Sequence, residues 1–172
     1  MAAHTLARLA PSDHALREVE GYSRDQLIGI AVARGCRHYA SFADSWNKVD
    51  VPTIPHEVLG CALLRGAPDV DTFQSIRVAS MVLSDAGNSP DMIGAAAAAL
   101  GVESRVTHIA KLALKADNRP DFWEAVLASI PAADNASEAG FLPGITRFRC
   151  ESPMTGLGRG PSRVWLRTAY AR

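Results

Sequence analysis

The sequence predicts a mainly α-helical bundle of about seven short helices, closed by a C-terminal two-stranded β-hairpin, and three observations predict it. Serine or aspartate repeatedly precedes a short amphipathic run that ends in glycine or proline, which is how short helices start and stop. The apolar content of 48% is largely alanine, with only 6% aromatic residues, a composition suited to closely packed helices around a modest core. After residue 140 the pattern changes to apolar residues alternating with arginine, the period of a strand.

Residues 1–11 read as a lead-in, and Ser12 caps a first helix that points Leu16 and Val19 inward and stops at Gly21. Ser23 caps a second, with Leu27, Ile30 and Ala31 on one face and Gly35 at its end. Tyr39, Phe42 and Trp46 fall at helical spacing and predict a further piece over Cys36 to Trp46. Pro52 and Pro55 then impose an extended connector over 50–55, the best place for an internal break in a domain spanning 1–140. His56 to Arg65 is amphipathic through Val58, Leu59, Ala62 and Leu63. Asp69 or Asp71 caps the next helix, whose apolar residues Phe73, Ile76, Val78, Met81, Val82 and Leu83 cover so much of its circumference that it should be central.

Ser89, Pro90 and Asp91 combine a cap, a preset φ and a charge that complements the helix dipole, so a helix starts here and runs to Gly101. A second follows from about Glu103 to Lys115. Pro120 resets the chain for a helix over 121–130 that buries Phe122, Trp123, Val126, Leu127 and Ile130, and Pro131 stops it. Residues 132–140 are small and polar and read as a loop. Runs at 145–152 and 163–170, around a glycine- and proline-rich tip at 153–162, predict the hairpin of a basic appendage covering 141–172.

The formal net charge is zero, which argues against a general nucleic-acid binder, but the charge is unevenly placed. Residues 141–172 hold Arg147, Arg149, Arg159, Arg163, Arg167 and Arg172 against Glu151 alone, leaving the first 140 residues with a matching acidic excess. Either the basic end docks on the acidic body or it serves an external acidic partner. Three widely spaced cysteines, Cys36, Cys61 and Cys150, do not make a disulfide framework, and thiols are expected. With no leader-like apolar region at the N-terminus and no apolar run long enough for a membrane span, the expected location is the cytoplasm.

Helix, Gly101 turn and helix over 89–115 is the geometry of helical hairpins and of DNA-reading helix-turn-helix units alike. At about 100° per residue, Arg105, His108, Lys111 and Lys115 share an arc of about 120° opposite Val106, Ile109, Ala110 and Ala113. That arc would lie toward phosphates. Phe148, Trp165 and Tyr170, interleaved with Arg147, Arg149, Arg159, Arg163 and Arg167, could stack on bases or anchor a protein contact. Two strands with an arginine-bearing tip are similar to the wing of a winged-helix protein, although here a helix and a loop separate them from the helix pair.

Other constellations are weaker. Gly156 to Gly160 could cradle a phosphate but lacks the Lys-Ser/Thr of a P-loop. Cys36, His38, His56 and Cys61 are zinc-ligand types at spacings that do not converge on helices, so no metal is expected. Neither Gly-x-Ser-x-Gly nor His-Glu-x-x-His is present. The expectation is therefore a non-catalytic binding or regulatory protein without cofactor, whose arginine-rich hairpin contacts an acidic protein surface or a nucleic-acid backbone. The alternatives are a small helical enzyme with a site near His56 and His108, whose reaction and catalytic residues the sequence does not name, and a structural or homo-oligomer-forming domain.

Overall fold

The computed structural model describes residues 10–36, 53–66, 72–114 and 117–131. It is mainly helical. The helices among these residues are α1 (Asp13–Glu20), α2 (Arg24–Ala33), α3 (His56–Ala62), α4 (Thr72–Leu83), α5 (Pro90–Leu100), α6 (Glu103–Ala113) and α7 (Pro120–Ser129). The helical piece expected within 36–46 and the hairpin strands at 145–152 and 163–170 lie outside the described residues.

Local signals set the starts. Ser12 Oγ accepts from the Ala15 N–H, and Ser89 Oγ accepts from the Met92 N–H with Pro90 in the first turn. Ser23 forms a reciprocal capping box with Gln26, so two N–H groups at that end find partners at once. α3, α6 and α7 begin without a side-chain cap, after Pro55, Val102 and Arg119. The expected stretch to Arg65 is shortened: α3 ends at Ala62, and the chain turns through Leu63 and Leu64 before Gly66, whose φ of +96° suits glycine.

Packing centres on α3. It touches α1, α2, α4 and α5, while α5 carries α7 on its far side and α6 packs against α5 and α7. Val58, Leu59, Cys61, Ala62, Leu63 and Leu64 are all buried. α3 and α5 run side by side in parallel: Glu57 accepts from the Ser89 N–H at 2.9 Å, and one turn later Cys61 Sγ approaches the Ile93 carbonyl at 3.8 Å. α4 is central, as its all-round apolar pattern implies, with Ile76, Val78, Met81, Val82 and Leu83 buried. α7 lies antiparallel to α5, because Ser129 at its end donates to the Pro90 carbonyl at the start of α5, at 2.8 Å. Trp123 and Val126 are its fully buried residues, and Phe122, Leu127 and Ile130 pack at the edge of the same core.

Two glycines test different constraints. A Cβ on Gly94 would lie 2.6 Å from the Ser129 carbonyl oxygen and 2.4 Å from its Oγ, so α7 itself would have to move. Gly101 has open space but a φ of +65°. Gly94→Ala should cost about 3 kcal/mol despite its better helix propensity, and Gly101→Ala about 1–2 kcal/mol, from strain alone. Urea unfolding midpoints check both; a stabilised Gly94→Ala would mean that α5 and α7 are not in close contact.

Candidate functional site

The Gly101 turn forms as expected. Gly101 is left-handed, the Val102 N–H reaches back to the Ala97 carbonyl at 3.0 Å, and Val102 is buried beneath the turn. On α6, Val106, Ile109, Ala110 and Ala113 make the buried face. The opposite arc is not uniform. Arg105 is partly buried and donates from Nη1 to the Leu64 carbonyl, tying α6 to the end of α3. His108 is half-buried, Lys111 is exposed, and Lys115 lies outside the described residues. Along the expected cationic stripe, Lys111 is thus the described residue open to solvent, whereas Arg105 serves the fold.

His108 Nε2 is buried without a hydrogen-bond partner among the described residues. Burial first, and the Lys111 ammonium second, hold its pKa below the ordinary histidine value. The imidazole is kept neutral. Cys61 is similarly disfavoured as an anion, since burial, reinforced by Glu57 and Glu103, pushes its thiol pKa well up. It is not an activated nucleophile.

The polar groups that do converge come from the turns between helices. His56, first residue of α3, faces Asp85 with Nδ1 to Oδ2 at 3.9 Å, the side chains being 18% and 7% exposed. Asp85 Oδ1 accepts from the Gly87 N–H at 2.7 Å, fixing the loop after α4. Asn88 Nδ2 donates to the Val82 and Leu83 carbonyls, and Arg119 Nη2 donates to the Ser84 carbonyl, so the end of α4 is capped by two distant side chains. Asp117 accepts from Trp123 Nε1 at 2.6 Å and lies 3.6 Å from Arg119 Nη2. Arg119 also stacks over the Phe122 ring at 4.7 Å.

Sequence reasoning did not single out Asp85, Asn88, Asp117 or Arg119. The signal was their setting in two turn-forming stretches, Ser84–Ser89 and Asp117–Pro120, where Asp and Asn bond to nearby backbone. The alternative enzyme reading places a site near His56 and His108. His56 lies beside Asp85 at the start of α3, while α6 meets the chain just after α3 through the bond of Arg105 to the Leu64 carbonyl. Of the set with zinc-ligand chemistry, Cys36 packs on Met81 Sδ at 3.8 Å and Cys61 on the Ile93 carbonyl; His38 lies outside the described residues. So do Arg147, Arg149, Arg159, Arg163, Trp165 and Arg167.

Two concavities open on the described surface. One, of about 430 Å³, runs between α5 and α7 and is floored by Gly94, Ala95, Ala98, Ala125 and Ala128. The other, of about 310 Å³, lies where Tyr22 and Arg24 meet Leu63 and Arg65. No helix among the described residues is long and apolar enough to cross a membrane. No protein-family model, curated protein or solved structure matches the chain.

Two outcomes follow from the buried polar groups. Because the folded state holds His108 below its unfolded pKa of 6.5, its contribution is fully present above pH 6.5 and is lost as pH falls through the depressed value. The stability difference between the wild type and His108→Gln should therefore change as pH falls below about 6.5 and stay constant above, as read by urea unfolding at each pH. Asp117→Ala strands the Trp123 Nε1–H in the core and should cost about 1–3 kcal/mol, whereas Asp121→Ala, on the exposed side of the same helix start, should cost far less.

Proposed function

We propose that the protein is a non-catalytic binding or regulatory module whose arginine-rich segment, residues 141–172, contacts an acidic partner. The observation that carries this reading is the partition of charge along a neutral chain, with six arginines against one glutamate after residue 140. The body supports it by how it uses its own cations. Arg34 donates to the Ile54 carbonyl, Arg105 to the Leu64 carbonyl and Arg119 to the Ser84 carbonyl, so three arginines of the body are committed to main chain. Arg17, Arg65 and Lys111 are the exposed cations among the described residues, and they sit on separate elements, α1, the turn after α3 and α6, so the densest run of positive charge along the chain is the C-terminal segment. An anionic partner brings either carboxylates or phosphates, and arginine pairs with both in two-pronged fashion.

Fluorescence anisotropy with the full chain tests this, using a labelled DNA duplex, a labelled single strand and a labelled polyglutamate peptide across a salt series. Binding to the nucleic acids should weaken steeply with salt, and Arg159→Glu/Arg163→Glu should lower the magnitude of the log–log slope by about 1 per lost phosphate contact. Lys111→Glu should change it little. Loss of binding in Lys111→Glu, with the arginine variant unaffected, would transfer the contact to the helix pair α5–α6. Failure of the folded protein to bind any of the three probes would overturn the reading.

A further inference from the structure

We propose that the groove between α5 and α7 is the docking site, in cis, for this chain's own residues 141–172. The groove exists because small residues line both helices. Gly94 lets α7 approach α5 so closely that a Cβ there would strike Ser129, yet beyond that contact the walls are mostly alanine, with Asp91 and Pro131 at one end. Ala98, Ala125 and Ala128 are exposed and leave about 430 Å³ open between them. The trough is mainly apolar, open to solvent and large enough to seat a few side chains.

Charge identifies the occupant. Asp91 stands on the same face of α5 as Ala95 and Ala98, at four and seven residues' separation, and Asp121 stands in the same relation to Ala125 and Ala128 on α7. Since the two helices run antiparallel, these exposed carboxylates fall at opposite ends of the trough, with Glu124 exposed beside Asp121. The complement is a segment with apolar residues for the middle and cations for the ends. Residues 141–172 have that composition: Phe148, Trp165 and Leu166 among six arginines.

Connectivity makes the contact easy to form. Pro131, just past the Ile130 cap of α7, lines the groove, so the chain departs from within it; Ala10 lines it too, but residues 1–9 carry a single arginine and no phenylalanine, tyrosine or tryptophan. Residues 132–140 can span up to about 30 Å, while α7 is only about 15 Å long, so the segment can fold back over the full trough without strain. A tether this short gives an effective concentration on the order of millimolar, well above what a dilute competitor reaches. The docking stands independently of the proposed function; only the consequence that a partner must displace it rests on that reading.

Cys150 supplies the probe, because Cys36 and Cys61, the other two thiols, are fully buried. A nitroxide attached to Cys150 of the full-length, isotope-labelled protein should broaden the amide signals of Ala95, Ala98, Ala125 and Ala128 most strongly. Asp91→Lys/Asp121→Lys should abolish that preference while leaving the rest of the spectrum in place. Broadening spread evenly over the helices, or strongest on α1, α2 or α4, would overturn the proposal. So would broadening of the groove in isotope-labelled, nitroxide-free protein mixed with nitroxide-bearing protein that carries no isotope label, which would make a second copy the occupant. No nucleic acid or acidic peptide is present in this measurement, so its failure and the failure of the partner-binding reading are told apart.

Discussion

The packing of the described helices depends on the close fit of α4 against Gly60 of α3. A Cβ at that position would sit 2.6 Å from a Leu83 methyl carbon and 2.7 Å from its Cγ, so Leu83 occupies the space that any other residue would fill. α3 is seven residues long, far below what is stable alone, and it is held by what surrounds it. Helices on all its flanks use it as a common wall. Its register with α5 is set twice, by the Glu57 bond to the Ser89 N–H and by the Cys61 contact one turn later. Displacing Leu83 from Gly60 would therefore disturb more than one pair, because α4 and α5 are both positioned from α3.

Short helices have a second need, which is to satisfy carbonyls at ends that local sequence leaves uncapped. At the end of α4 the Ser84 hydroxyl serves the Met81 carbonyl, Asn88 folds back onto the Val82 and Leu83 carbonyls, and Arg119 arrives from the start of α7 at the Ser84 carbonyl. Arg105 does the same past the end of α3. Hydrogen bonds from a charged donor to a carbonyl contribute about 1.5–3 kcal/mol each, more than a neutral cap, and they also place a cation at the negative end of a helix dipole. These arginines thereby act as long-range staples between elements.

What was legible in the sequence was whatever neighbouring residues decide. Ser12, Ser23 and Ser89 start helices because their side chains reach N–H groups three residues on, and Gly101 closes α5 because only a local backbone twist is asked of it. The buried faces of α4, α6 and α7 followed from spacing, since Ile76, Val106, Ile109 and Val126 obey a single helical period. The partners of Arg105, 41 residues from Leu64, and of Arg119, 35 residues from Ser84, followed no local rule. A helical wheel shows that Arg105 leaves the apolar face, but not that a carbonyl of α3 waits there. The pairing of His56 with Asp85 was hidden for the same reason, because it arises from α4 returning antiparallel to α3.

Charge partition and groove bear on each other through a simple equilibrium. If the arginines of 141–172 are shared between the α5–α7 trough and an outside anion, the affinity seen from outside is the intrinsic affinity reduced by the undocked fraction. A segment docked nine-tenths of the time would weaken an otherwise unchanged contact about tenfold. In either place the arginines would meet anions, so added salt would release the segment from the body and weaken its hold on the partner together. The two effects oppose each other, which makes the apparent salt dependence shallower than the number of arginines alone implies. Apolar residues break that symmetry: Phe148, Trp165 and Leu166 have a use in an alanine-lined trough but none against phosphate oxygens. How far docking survives salt therefore reports how much of it those side chains hold.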